Sequence, residues 1–117
     1  MPDKDLGKRL FDFAVKVIKY LRKIDKSIEN GVIRYQLTKS STSSSANYEE
    51  AQAASSKADF KNKINISLKE MRESNHWLRF IKALMEKEDL QLNELIKESD
   101  ELKKILGSIY SKVSKSI

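Results

Sequence analysis

Residues 36–54, QLTKSSTSSSANYEEAQAA, decide what this chain can fold into, because the same letters suit either a flexible linker or a helix with a narrow face. By composition a flexible Ser/Thr linker is the alternative to a helix. Placed at 100° per residue, however, Ile33, Leu37, Ser40, Ser44, Asn47 and Ala51 share one face, with Tyr48 and Ala54 at its edges. The serines follow the helical period. The stretch therefore reads as a packing helix whose small side chains let a neighbour approach closely and whose hydroxyls bond back to carbonyls one turn earlier. Serine is a mediocre helix former, so tertiary contacts must hold this segment.

The rest of the chain repeats the period with stronger apolar residues. Leu6, Leu10, Phe13, Val17, Leu21 and Ile24 line a first helix over about residues 4–28, and Asn30-Gly31 supplies a turn signal after it. The serine helix then covers about 32–54. Ser55 or Ser56 ahead of Asp59 resembles a cap, opening a third helix over about 57–86 with Phe60, Ile64, Ser67, Leu68, Met71, Asn75, Leu78 and Met85 on one face. A fourth, over about 91–114, carries Leu92, Leu95, Ser99, Leu102, Leu106, Ile109 and Val113 in register. One proline and three glycines leave little punctuation for hairpins, so the expectation is an all-α chain with a single domain over residues 1–117.

Two features exceed what one bundle core needs. Phe11, Val15 and Ile18 widen the first helix's apolar face, and Ile66, Trp77, Phe80 and Leu84 form a displaced strip on the third. A second covered surface follows, and an oligomer interface at Phe11, Val15, Ile18, Trp77, Phe80 and Leu84 is the expectation. The second feature is charge, a formal net of +6. Arg9, Lys16, Lys19, Lys23 and Lys26 make a stripe opposite the first core face, broken by Asp12, and Lys103, Lys104, Lys112 and Lys115 end the chain without an acid. Such rows are solvated faces in the bland reading and track phosphates in the functional one.

Other chemistry is largely excluded. There is no cysteine, hence no disulfide framework, thiolate metal site or cysteine nucleophile, and a reducing cytoplasm is the expected compartment. The charged start does not resemble a secretory leader, and no apolar run approaches the roughly 20 residues of a membrane span, so no membrane partner is expected. Glycine-rich phosphate loops and zinc spacings are missing. Glu73 and His76 form one Glu-x-x-His unit, where a di-iron bundle needs two, and no second histidine exists to complete a site within one chain. Glu70, Glu73, Glu98 and Glu101 are read as ion-pair partners for basic side chains such as Arg72 or Arg79, and Asn47 and Gln36 as buried polar residues fixing helix register. No catalytic residue, metal or cofactor is expected.

A resemblance emerges from Gln36-Leu37, Ser40, Ser44, Ala46-Asn47-Tyr48, Glu50-Ala51, Ser56-Lys57-Ala58-Asp59-Phe60, Lys63, Leu68-Lys69-Glu70, Glu73-Ser74, Trp77-Leu78, Glu98 and Glu101-Leu102. Together they resemble the bacterial four-helix-bundle family known as 23S ribosomal RNA intervening-sequence proteins. That resemblance implies an antiparallel up-down-up-down four-helix bundle, homopentameric assembly and a poorly defined biochemical role. A more distant similarity, to the accessory variability protein of diversity-generating retroelements, implies association with nucleic acid. The run at 41–45 is more uniformly serine than the family pattern, which puts the rigidity of that helix in question. The expected function is a non-enzymatic oligomer in which Arg9 and the eight lysines of the two basic rows hold RNA or DNA backbone; the alternative is a scaffold for a protein partner with no nucleic-acid role.

Overall fold

A computed structural model describes residues 5–116. Its helices are α1 (Leu6–Leu21), α2 (Ile28–Gln52), α3 (Lys57–Leu84) and α4 (Leu90–Ser116). Each packs against the helix before and after it, and α4 closes back on α1, giving an all-α, antiparallel up-down-up-down four-helix bundle of 46 × 23 × 20 Å.

The serine stretch is helical throughout, inside α2. The first connection, by contrast, falls earlier than Asn30-Gly31. The chain leaves the helix after Leu21 and re-enters it at Ile28, so α1 is a turn or more shorter than the expected 4–28, whose start at residue 4 lies outside the described residues. Local bonding explains the difference. Ser27 is extended, and its Oγ accepts the Asn30 backbone N–H at 3.2 Å, while the Asn30 side chain donates to the Asp25 carbonyl at 2.9 Å. Gly31 N donates to the Ser27 carbonyl at 3.0 Å as the first helical bond, and no glycine among the described residues has positive φ. Asn30-Gly31 thus belongs to an N-terminal cap.

The other helix starts follow the same chemistry. Ser56 Oγ accepts Asp59 N–H at 3.0 Å, and Asp59 Oδ2 accepts Ser55 N–H at 3.1 Å, so the expected cap of α3 is present with both serines engaged. Asp89 Oδ1 accepts Leu92 N–H at 3.2 Å at the start of α4. The core is built from Leu6, Leu10, Phe13, Val17, Leu37, Ile64, Met71, Leu78, Leu92, Leu102 and Leu106. Buried Ser40, Ser41, Ser44, Ser67, Ser74, Ser99 and Asn75 interrupt it with a polar layer. Alone among the helices, α2 lacks a clear division into apolar and polar sides, since its inner face mixes Ser40, Ser41 and Ser44 with Ile33, Leu37, Tyr48 and Ala51 and its outer face holds Ile28, Val32, Tyr35, Thr42 and Ala46.

Candidate interaction surfaces

Where α2 meets α3, hydroxyls replace methyl groups. Ser44 Oγ donates to the Ser67 carbonyl at 2.8 Å and Ser67 Oγ donates to the Ser44 carbonyl at 2.7 Å, a reciprocal pair that crosses from one backbone to the other. One turn along, the Ser40 and Ser74 hydroxyls meet at 2.8 Å. Only small side chains permit such proximity, so the periodic serines do form a seam. Asn47, expected to be buried, is only half-buried and donates to the Ser43 carbonyl of its own helix at 2.9 Å. Gln36 is likewise half-buried. The register-fixing amide is Asn75 instead. Its Nδ2 donates to Ser99 Oγ at 2.8 Å and Asp100 Oδ1 at 3.1 Å, and its Oδ1 accepts from Arg79 Nε at 2.9 Å, tying α3 to α4.

Where α1 meets α4, charge does the joining. The Arg9 guanidinium forks onto Glu98 at 3.1 and 2.7 Å and reaches Glu101 at 3.0 Å. Hydrogen bonding to Glu98, with Glu101 adding to it, drives the arginine's pKa further above its already high value. Glu98 and Glu101 therefore pair with Arg9 of α1, and Arg79 turns to Asn75. Tyr20 donates to Asp89 Oδ2 at 2.9 Å, and burial followed by this bond pushes its phenol pKa upward. Between the two helices lies a polar groove of about 470 Å³ lined by Arg9, Asp12, Lys16, Gln91, Glu94 and Glu98, among others.

The nine basic residues of the sequence expectation thus occupy different settings. Arg9 is locked into an ion-pair network, Lys103 stands 3.4 Å from Asp100, Lys23 donates to Gln91 at 3.4 Å, and Lys16 lines a groove it shares with three acids. Lys19, Lys26, Lys104, Lys112 and Lys115 are exposed and make no ion pair among the described residues. Toward the end of α4, the Lys61 ammonium of α3 lies 5.6 Å from the Tyr110 ring centroid.

The apolar strips lie on other faces. Phe11 is 63% exposed, Leu84 56% and Phe80 46%, while Val15, Ile18 and Trp77 are half-buried. Phe11, Val15 and Ile18 line an apolar groove of about 420 Å³ between α1 and α2, together with Gly7, Ala14, Thr42, Ser45, Ala46 and Glu49. On α3, His76 packs edge-on against Trp77 and Phe80 with centroids 5.4 and 4.9 Å away, and Trp77 Nε1 donates to Glu73 at 3.3 Å. No three His, Cys, Asp or Glu side chains gather as metal ligands among the described residues, and no described helix is long and apolar enough to cross a membrane.

Sequence reasoning missed Ser41, Ser74 and the Asn75–Asp100–Arg79 linkage. Ser74 was within reach of it, since Ser67 and Ser74 are spaced seven apart on α3 and mirror the period of the α2 serines.

A four-helix bundle with a hydroxyl seam on one side, a charged seam on another and uncovered apolar strips outside defines the class as an all-α helical-bundle protein. Family comparison narrows it: residues 3–108 match the 23S rRNA-intervening sequence protein family, and the chain belongs to it. Among solved structures, it is similar to a protein of unknown function from the S23 ribosomal protein family of Bacteroides thetaiotaomicron, at 32% identity over 90% of this chain and 97% of that one, with a TM-score of 0.81. No curated protein matches.

Proposed function

We propose that the protein is a non-enzymatic, cytoplasmic homo-oligomer, pentameric as the family resemblance implies, that displays outward lysines to hold RNA or DNA backbone without reading bases. The carrying observation is the uncovered apolar surface of α1, α2 and α3, with Phe11, Phe80 and Leu84 all exposed in the single chain. A helix such as α2, with small or apolar residues inside and out, is stable when both sides are covered. The family's name and the net charge of +6 support the nucleic-acid half of the reading. Of the nine expected residues, Lys19, Lys26, Lys104, Lys112 and Lys115 are the ones left exposed for phosphate; Arg9 serves the protomer, holding α1 to α4.

Light scattering is expected to give an oligomer, and mobility shifts with unrelated RNAs are expected to weaken steeply as salt rises. Replacing Lys104, Lys112 and Lys115 by Gln together should reduce that salt slope; no shift even at low salt would remove the nucleic-acid role. Acids interleaved with Arg9 and Lys16 along the α1–α4 groove favour a second reading, a ring that recruits a protein partner. A protein captured equally well after nuclease treatment would select it.

A further inference from the structure

The two apolar surfaces have different shapes, one a groove and the other a ridge. Between α1 and α2 the groove runs from Gly7 to Ile18 on one wall and from Thr42 to Glu49 on the other. Along the outermost line of α3, Lys69, Arg72, His76 and Phe80 follow one another at helical spacing, all exposed. The aromatic part of this ridge is ordered before any partner arrives, through the edge-on contacts of His76 with Trp77 and Phe80.

Charge distinguishes one end of each surface. Glu49 closes the groove and has no ion pair or hydrogen bond among the described residues, nor do Lys69 and Arg72 on the ridge. Lys8, next to Gly7 on α1, is already held by Asp12 at 2.6 Å, a contact that raises its pKa chiefly through the hydrogen bond. From Phe80 to Arg72 the ridge spans about 12 Å, and from Thr42 to Glu49 the groove wall spans about 10 Å, at 1.5 Å per residue.

Resting on the oligomeric reading above, we propose that the α1–α2 groove receives the α3 ridge of a second copy of this chain, with Phe80 against Phe11, Val15 and Ile18 and Arg72 against Glu49. This register makes α3 of one copy antiparallel to α2 of the next, as it is within its own bundle. The axes of successive bundles therefore point the same way. Because groove and ridge are different surfaces, the contact is head-to-tail and propagates until it closes in a ring.

The test is a charge exchange read by light scattering and sedimentation, with circular dichroism confirming that each variant stays helical. Glu49→Arg and Arg72→Glu, both at exposed positions, are each expected to raise the dissociation constant by about tenfold or more, and the double variant is expected to recover most of the loss. Assembly that persists undiminished in both single variants overturns the proposed register, as does loss in both without recovery in the double. A wild-type chain that is monomeric at high concentration overturns the oligomeric reading itself.

Discussion

The seam between α2 and α3 and the seam between α1 and α4 join antiparallel helices of one bundle by opposite means. In the first, Ser44 and Ser67 exchange bonds with each other's carbonyls, with nothing longer than a hydroxymethyl group between the backbones. In the second, Arg9 must span a polar groove of about 470 Å³ to reach Glu98 and Glu101. Short neutral bonds in a dry seam depend on shape and ignore salt; long, partly exposed ion pairs tolerate changes of shape and depend on the solvent. One bundle thus contains an intolerant side and an adjustable side.

The largest expected effect comes from enlarging the intolerant side. Ser67→Leu should destabilise by roughly 3–5 kcal/mol, because added volume forces α2 and α3 apart and strands the Ser44 hydroxyl. Ser67→Ala, which keeps the approach and removes one bond, should cost only about 1 kcal/mol. Urea unfolding of the pair measures both, and equal costs would refute the role given to proximity. Next comes the adjustable side. Arg9→Met should cost about 1–2 kcal/mol, since Arg9 and Glu98 remain partly open to water and the fork is correspondingly screened.

Tyr20 supplies a pH dependence. Its phenol pKa is raised in the folded chain, so the folded state keeps a proton that an unfolded tyrosine releases near pH 10. The associated stability is complete below about pH 10 and is lost as pH climbs beyond it. Tyr20→Phe should cost about 1 kcal/mol at neutral pH and flatten that alkaline descent, as followed by thermal melts from pH 8 to 11. The smallest effect is that of salt. In about 1 M NaCl, where screening acts within about 3 Å, amide exchange should accelerate in α1 before it changes at 40–44 or 67–74. Uniform acceleration would erase the contrast between the seams.

How far these seams were legible follows from the range of their contacts. Ser40 and Ser44 announced the first seam because helical period is a local signal, visible in the spacing of residues on one segment. Arg9 announced nothing: its partners lie at Glu98 and Glu101, so the sequence suggested phosphate for the arginine and Arg72 or Arg79 for the acids. The first connection was misplaced for a different reason. Asn-Gly is a strong turn signal taken alone, yet Ser27 two residues upstream of Glu29 offered a cap that better satisfies the orphaned N–H groups, and the helix formed around the dipeptide. Asn47 and Asn75 are identical letters on apolar-periodic faces; only the opposing Ser99 and Asp100 make the second one a junction.

The up-down order directs the N-terminal end of α1 and the C-terminal end of α4 toward the same pole of the bundle, with Arg9 level with Glu98 and Glu101. A pull applied to those two ends would load the α1–α4 seam like a zipper, opening it one contact at a time from the Arg9 fork toward Tyr20. The α2–α3 hairpin, closed by its hydroxyls, would stay behind as a stiff beam. Mechanically, then, the molecule is a rod with two peelable staves, and the order of their release is written in which helices are joined by serine and which by charge.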